Sequence, residues 1–420
     1  MTRRGERKEV GLDPEKQSLR EEIERLAGIL EEVSLFIHAH PEEGLREELA
    51  RRKLVEVLAA QGFTVGPGPE RLPTAFVARY SQGGGRPRIA FLAEYDALPG
   101  VGHACGHNLI AAVAVGAATA VRRGLERFGR PGTVLVFGTP AEEGAVDDAG
   151  GKVYFVEAGF FDGVDAALMA HPSSRNAALG ELSTGRVALE ITFLGKAAHA
   201  AGAPHEGINA LDAAILTFNA WNALRQHLRE EARIHGIIAE GGVAPNIIPD
   251  RARIRMYVRA RDPDYLEEVE RRVRDCALGA ARATGARVEF RYTARTYQSV
   301  MPNRTLARVY TDNLAALGVN LDPSEPGGGG GSTDAGNVSR VVPLIHPYFA
   351  ICPRGTPGHS PEFARAAATR EAHRAALTTA QALAMTAWDL LRDPRLLREA
   401  RAELEGAQGA RNGGSPGSQP

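Results

Sequence analysis

Apolar residues at Leu19, Ile23, Leu26, Leu30, Val33 and Ile37 return every third or fourth position, which predicts a helix with one buried stripe. A second helical stretch runs from Glu48 to Gln61 and stops at Gly62. Short unbroken apolar runs follow at Ala75 to Tyr80, Ile89 to Ala93, Val134 to Gly138 and Ala166 to Ala170. Helical stretches separate several of them, notably Asn108 to Arg123. Strands apolar on both faces and alternating with helices predict a layered α/β unit with a mainly parallel sheet.

The pattern changes near Thr184. Val187, Leu189, Ile191 and Phe193 alternate with other residues, so this strand is expected to have one wet face. A helix follows at about Gly207 to Glu230, then strands at Ile234 to Ala239 and Ala252 to Val258. A helix from about Pro263 to Ala283 and a strand from Arg287 to Tyr292 complete the set. Strand, helix, strand, strand, helix, strand is the ferredoxin-like order. The expected architecture is therefore one α/β unit over residues 18–183 and 298–395, with a small α+β domain, 184–297, inserted into it. Residues 1–17 are charged and aperiodic, and 406–420 are rich in Gly, Ser, Gln and Pro; both are expected to be disordered.

Composition narrows the function. Lys plus Arg is 50 and Asp plus Glu is 51, so a net charge of −1 favours neither nucleic acid nor an anionic membrane as partner. The longest apolar run, Leu109 to Val121, is shorter than the about 20 residues that span a bilayer. No signal peptide is evident, and three cysteines, Cys105, Cys276 and Cys352, make no disulfide framework. A cytoplasmic location is the expectation, with Cys105 a thiol or thiolate.

Ligands of open α/β sheets bind beyond the carboxyl ends of the strands. Four polar clusters fall at such places: Glu94-Tyr95-Asp96, Glu142-Glu143, His171, and His103 to His107 at the start of a helix. Cys105 and His107, two apart on a glycine-containing turn, pair soft sulfur with imidazole, a set suited to zinc, cobalt, manganese or nickel better than to magnesium. Two adjacent carboxylates can divide their labour, one holding metal and the other moving a proton. His359 lies in a loop stiffened by Gly355, Pro357, Gly358 and Pro361. Read singly, each has a plain structural alternative: a buried thiol, a core histidine, a solvated acidic turn. The glycines before Ser332 lack the Lys-Ser/Thr of a phosphate loop, and could instead bring backbone N–H groups to a substrate carboxylate.

In order, the runs Tyr95 to Gly100, His103 to Asn108, Pro140 to Gly144, His171-Pro172, Gly195 to His199, Ala244 to Pro249, Gly331 to Asp334 and Gly358 to Pro361 resemble the M20 metallopeptidases, and more narrowly their amidohydrolase branch. The resemblance covers about Leu26 to Leu391. Asn108 and Glu94-Tyr95-Asp96 fit the p-aminobenzoyl-glutamate and dipeptidase side of that branch better than the hippurate side. The resemblance implies two divalent metal ions per chain, zinc, manganese or cobalt, held by Cys105, His107, Glu143, His171 and His359. It implies Glu142 as general base and Asp96 as the residue orienting a ligand. Asn246, Gly330, Gly331 and Ser332 would help to hold a small-molecule substrate. The inserted domain would join a homodimer, and His199 would reach the partner's site to stabilise an oxyanion. The expected activity is hydrolysis of an amide bond in an N-acyl amino acid, an aminobenzoyl-glutamate-like compound or a dipeptide.

Overall fold

The computed structural model describes residues 12–178, 183–323 and 331–412. The first helix, α1 (Pro14–Ala39), begins earlier than composition suggests. Asp13 caps it by accepting from the Glu15 N–H at 2.8 Å, and Pro14 fits the first turn, where no N–H bond is needed. Lys16 pairs with Asp389 at 2.7 Å, so residues 13–17 are tethered rather than loose. After α2 (Glu48–Ala60) come β1 (Thr64–Pro67), β2 (Phe76–Gln82) and β3 (Arg88–Ala93). Then follow α3 (His107–Phe128), β4 (Gly132–Gly138), α4 (Gly151–Glu157), β5 (Ala166–Leu168) and β6 (His171–Ser173). The expected strand Ala166 to Ala170 thus ends at Leu168, and His171 opens a separate strand.

The small sheet contains β7 (Gly185–Leu194), β8 (Arg233–Glu240), β9 (Arg251–Ala260) and β10 (Arg287–Tyr292), with α5 (Ala210–Arg225) and α6 (Pro263–Thr284) on one face. Helix α5 starts later than periodicity suggests because Asn209 caps it, its side chain accepting from the Leu211 N–H at 3.0 Å. The chain then completes the larger unit with α7 (Arg304–Ala316), α8 (Ala335–Val338), β11 (Leu344–Ile345), β12 (Tyr348–Ala350), α9 (Pro361–Ala366), α10 (Arg370–Arg392) and α11 (Pro394–Asn412). Helix α11 carries residues 406–412, which composition assigns to a disordered tail. Buried Ala400 and Leu404 anchor it.

The main sheet runs β1-β2-β4-β3-β5-β11. β4, β3, β5 and β11 are parallel, and β1 and β2 add an antiparallel edge. Alternation along β3 builds two cores. Ile89, Phe91 and Ala93 face α1, α3 and α10, while Ala90 and Leu92 face α4 and α8. This three-layer arrangement aims the carboxyl ends of the parallel strands at one crevice.

The second sheet has the order β10-β7-β9-β8, wholly antiparallel. One expectation fails here. The second face of β7 is not wet: Arg186, Ala188, Glu190 and Thr192 are buried too. β7 is central in its sheet, and that face packs on the segment after β4, with Ala188 against Ala141, Ala149 and Ala294. Glu190 tolerates burial because Arg253 and Arg291 pair with it, at 3.2 and 3.0 Å.

Candidate metal centre

Cys105 and His107 lie on the turn that starts α3. Gly106 between them has a φ of 75°, and a Cβ there would lie 2.8 Å from Pro172. A glycine therefore permits both the turn and the close approach of the His171 segment. Glu142 and Glu143 follow β4 through Ala141, whose left-handed φ of 57° aims them into the crevice. His359 is left-handed as well, at 58°, and its N–H donates to the Ala104 carbonyl at 3.0 Å, tying its loop to the cysteine turn.

Five separate segments thereby bring donor atoms together. Cys105 Sγ is 3.4 Å from His171 Nε2. His107 Nε2 is 3.4 Å from Glu94 and 3.7 Å from Glu143, and His359 Nε2 is 3.6 Å from the other Glu143 oxygen. Cys105, His107 and His171 have ligand atoms within 4.8 Å of one another, as do Cys105, Glu143 and His359, and His107, Glu142 and Glu143. Cys105, His107 and Glu143 each belong to two of these groups, so the groups overlap in one cluster. Glu94, Glu142 and Asp334 form a further acidic group.

The second nitrogen of each central imidazole is fixed. Asp96 faces His107 Nδ1 at 2.9 Å and with its other oxygen accepts the Glu143 N–H at 3.0 Å, so it orients two donors at once. His171 Nδ1 lies 2.7 Å from the Pro172 carbonyl and must donate to it, which leaves a lone pair on Nε2 toward Cys105. Burial and His346 push His171 down to about 3, so it is neutral and able to bind a metal.

The residues fit a cation. Glu94 Oε2, His107 Nε2 and Glu143 Oε1 are all buried without a hydrogen-bond partner, and they converge. Burial opposes charge on His107, yet Asp96 and Glu94 outweigh it and push its pKa well up. These carboxylates call for positive charge at that point, from a proton or a metal. Burial, then Glu94, Asp334 and Glu143, push Glu142 well up. Burial and Glu143 likewise push up the Cys105 thiol, and a bound cation would reverse that bias.

Behind the donors sits an ion triad with no exposure to solvent: Lys152 on α4 meets both Glu94 and Asp334. Glu94 thus turns one oxygen to Lys152 and the other to His107. Sequence reasoning notes Glu94 and Asp334 only as parts of motifs and misses Lys152, which reads as an ordinary first-turn lysine. It also misses His346 and Tyr348, which line the cavity beside His171. Asn108 does not enter the site; its amide ties α3 to Ser34 and to the Ala367 carbonyl.

A cavity of about 590 Å³ opens over the donors, a size suited to a small molecule. Gly331 and Ser332 line it, while Gly330 lies outside the described residues. His199 and Asn246 do not reach it. They are exposed together on the small domain, where the Ala200 N–H donates to the Asn246 carbonyl at 3.0 Å.

Fold and site together define a two-domain α/β protein with a donor cluster suited to paired metals at the carboxyl ends of its strands. The chain belongs to peptidase family M20/M25/M40, whose model matches residues 90–382, and is a hydrolase of amide bonds. It is 42% identical over 406 residues to the Xaa-Arg dipeptidase of Mus musculus, covering 93% of this chain and 92% of that one. To one of the subunits of the p-aminobenzoyl-glutamate hydrolase of Escherichia coli (strain K12) it is 32% identical, covering 87% and 89%. The crystal structure of the Bacillus subtilis YXEP protein, described as a dinuclear metal-binding peptidase of the family, shares the fold with a TM-score of 0.64 at 24% identity, covering 88% and 99%.

Proposed function

We propose that this chain hydrolyses the amide bond of a small N-acyl amino acid, aminobenzoyl-amino acid or dipeptide. Cys105, His107, Glu143, His171 and His359 would hold two divalent cations. The observation that supports this reading is the convergence of donor atoms from five segments, three of them, Glu94 Oε2, His107 Nε2 and Glu143 Oε1, buried without a hydrogen-bond partner. Zinc or cobalt suits the sulfur and imidazole best, with manganese the third option. When bound, the cations would polarise the scissile carbonyl and acidify a water molecule.

The chain's own residues then divide the work. Glu142 takes the proton from the attacking water and delivers it to the leaving amine. Its neighbour Glu143 is the ligand, because it lies against His107 and His359. Asp96 fixes the His107 ring and the Glu143 backbone. Gly331 and Ser332 line the wall where substrate would rest.

His199 and Asn246 act in this proposal across a dimer. The edge strand β8 exposes Ile237 and Ile238, and α5 beside it exposes Ile215 and Leu216. An apolar edge strand of this kind is a template for pairing with a second copy. His199 Nδ1 accepts from the Gly202 N–H at 2.9 Å, so its proton sits on Nε2, which can donate to a developing oxyanion.

The direct test separates the two adjacent glutamates. Glu142→Ala should keep two metals per chain by elemental analysis and lose turnover by about 1,000-fold or more. Glu143→Ala should lose metal as well as turnover. A Glu142→Ala protein that sheds its metal would mean the roles are reversed.

A further inference from the structure

Away from the metal centre, α1, α3 and α10 leave a second cavity of about 270 Å³ between them. It shares no lining residue with the cavity over the donor cluster. Its floor is apolar: Leu30 from α1, Ala112 and Val113 from α3, and Ala376, Leu377 and Ala380 from α10. The three alanines are too short to fill the space between the helices, and Gly28 on α1 has nothing within 4 Å of where a Cβ would stand. A dry cavity of about 150 Å³ accepts benzene, so this one has room for a chain of about six carbons.

Four lining residues are polar: Glu31, Arg370, His373 and Arg374. His373 is 7% exposed, and its Nδ1 is buried without a hydrogen-bond partner. The place of the ring proton follows from the residues behind it. The Asn108 amide donates to Ser34 Oγ at 2.8 Å, and Ser34 Oγ lies 3.1 Å from His373 Nε2. Among the described residues the Ser34 hydroxyl has no other acceptor, so it donates to Nε2 and the ring carries its proton on Nδ1. Burial holds His373 below its ordinary value, which keeps the ring neutral. Its Nδ1–H is thus a buried donor without an acceptor, an unfavourable state unless something supplies one. Glu31 comes nearest at 3.6 Å, beyond hydrogen-bond reach, with its own side chain 45% exposed.

The charge of the lining favours the same kind of group. Arg370 and Arg374 stand one turn apart on α10, both exposed, and among the described residues neither has a carboxylate within ion-pair distance. Two guanidinium groups therefore face one carboxylate, that of Glu31. All three α10 residues lie in its first turns, where the helix dipole adds positive potential.

From this we infer that the cavity binds a small apolar carboxylate, its chain on the alanine-rich floor and its head shared between His373 and the two arginines. One carboxylate oxygen can accept from Nδ1–H while the other meets a guanidinium, with Glu31 turned out to solvent. A cationic head would be repelled by the arginines, and a neutral one would leave their charge unanswered. The site is separate from the metal centre, so the inference does not depend on the hydrolase reading.

The test titrates the zinc-loaded full chain with hexanoate, hexanol and hexylamine by calorimetry. The charge-assisted head group should make hexanoate bind about tenfold more tightly than hexanol, with hexylamine weakest. The double variant Arg370→Gln, Arg374→Gln should weaken hexanoate by about tenfold and leave hexanol unchanged. Glu31→Gln removes the competing carboxylate and should tighten hexanoate by about threefold. All three side chains reach solvent, so circular dichroism should report an unaltered fold. Equal affinity for hexanoate and hexanol would overturn the inference, as would a failure of hexanoate to bind at all. Hexanoate binding that none of these substitutions alters would overturn it too, because the carboxylate would then sit elsewhere, on the zinc for one.

Discussion

Glu47 takes no part in the metal centre, yet it sits with no exposure where the N-terminus of α2 meets the turn before Glu142. Its carboxylate accepts from the Thr74 hydroxyl at 2.7 Å and from the Ala141 N–H at 2.9 Å. Burial, reinforced by Asp96, pushes it up from 4.5 to about 7. The folded protein therefore keeps a proton that the unfolded chain gives up above about pH 4.5. The stabilisation is full below that pH and is lost as pH rises through about 7, by about 3 kcal/mol. Glu47→Gln removes the titration while preserving shape. Its melting temperature relative to wild type, measured on metal-free protein, should climb from pH 5 to pH 7.5 and then level; parallel curves would place the titration elsewhere. Such a residue shows the limit of sequence reading at this scale. Cys105, His107, Glu142, Glu143 and His171 were legible as candidates because each follows a strand or opens a helix, and His359 because glycines and prolines stiffen its loop; their reading as one ligand set came from the family resemblance. Glu47, Lys152 and Arg186 were not, because their burial depends on neighbours about 50 to 180 positions away.

Helices and strands were legible wherever one face had one fate. The stripe in α1, the strands β3 and β4 and the alternation of β7 all follow from the period of their apolar residues. What period could not show was the use of the other face, as β7 demonstrates, or structure supported from outside, as in the last helix. α11 is weakly apolar, but its Glu403 accepts from the Arg304 and Thr305 N–H groups, at 2.7 and 3.1 Å, at the start of α7. Asn303, the cap of α7, returns a hydrogen bond to the Ala400 carbonyl at 2.8 Å. The N-terminus of α7 is thus closed against the middle of α11, which helps to hold the helix that runs on through residues 406–412. Replacing Glu403 by Ala removes acceptors from two N–H groups and should cost about 1 kcal/mol in a urea titration, leaving metal content unchanged. A shift of the midpoint within error would show that water serves those groups equally well.

At the scale of the molecule, the proposed site residues that lie among the described residues stand in or directly behind the cavity, except His199 and Asn246. Both stand exposed on the small domain, outside the cavity of their own chain. Their distance from Glu142 is intelligible if the apolar edge of β8 pairs with a second copy and carries each His199 to the partner's site. That arrangement makes a demand no monomeric enzyme can meet. Glu142→Ala and His199→Ala should each be nearly inactive alone. After denaturation and joint refolding in equal amounts, half the dimers are mixed, and in each mixed dimer one site has both its own Glu142 and the partner's His199. Activity should then return to about a quarter of the wild-type value, the share expected from random pairing of two subunits. Dilution below the dimer's dissociation constant should abolish the rescue. If the mixture stays as inactive as its components while light scattering reports dimers, His199 does not serve the neighbouring site. Its place on the exposed loop would then require some other explanation than catalysis in trans.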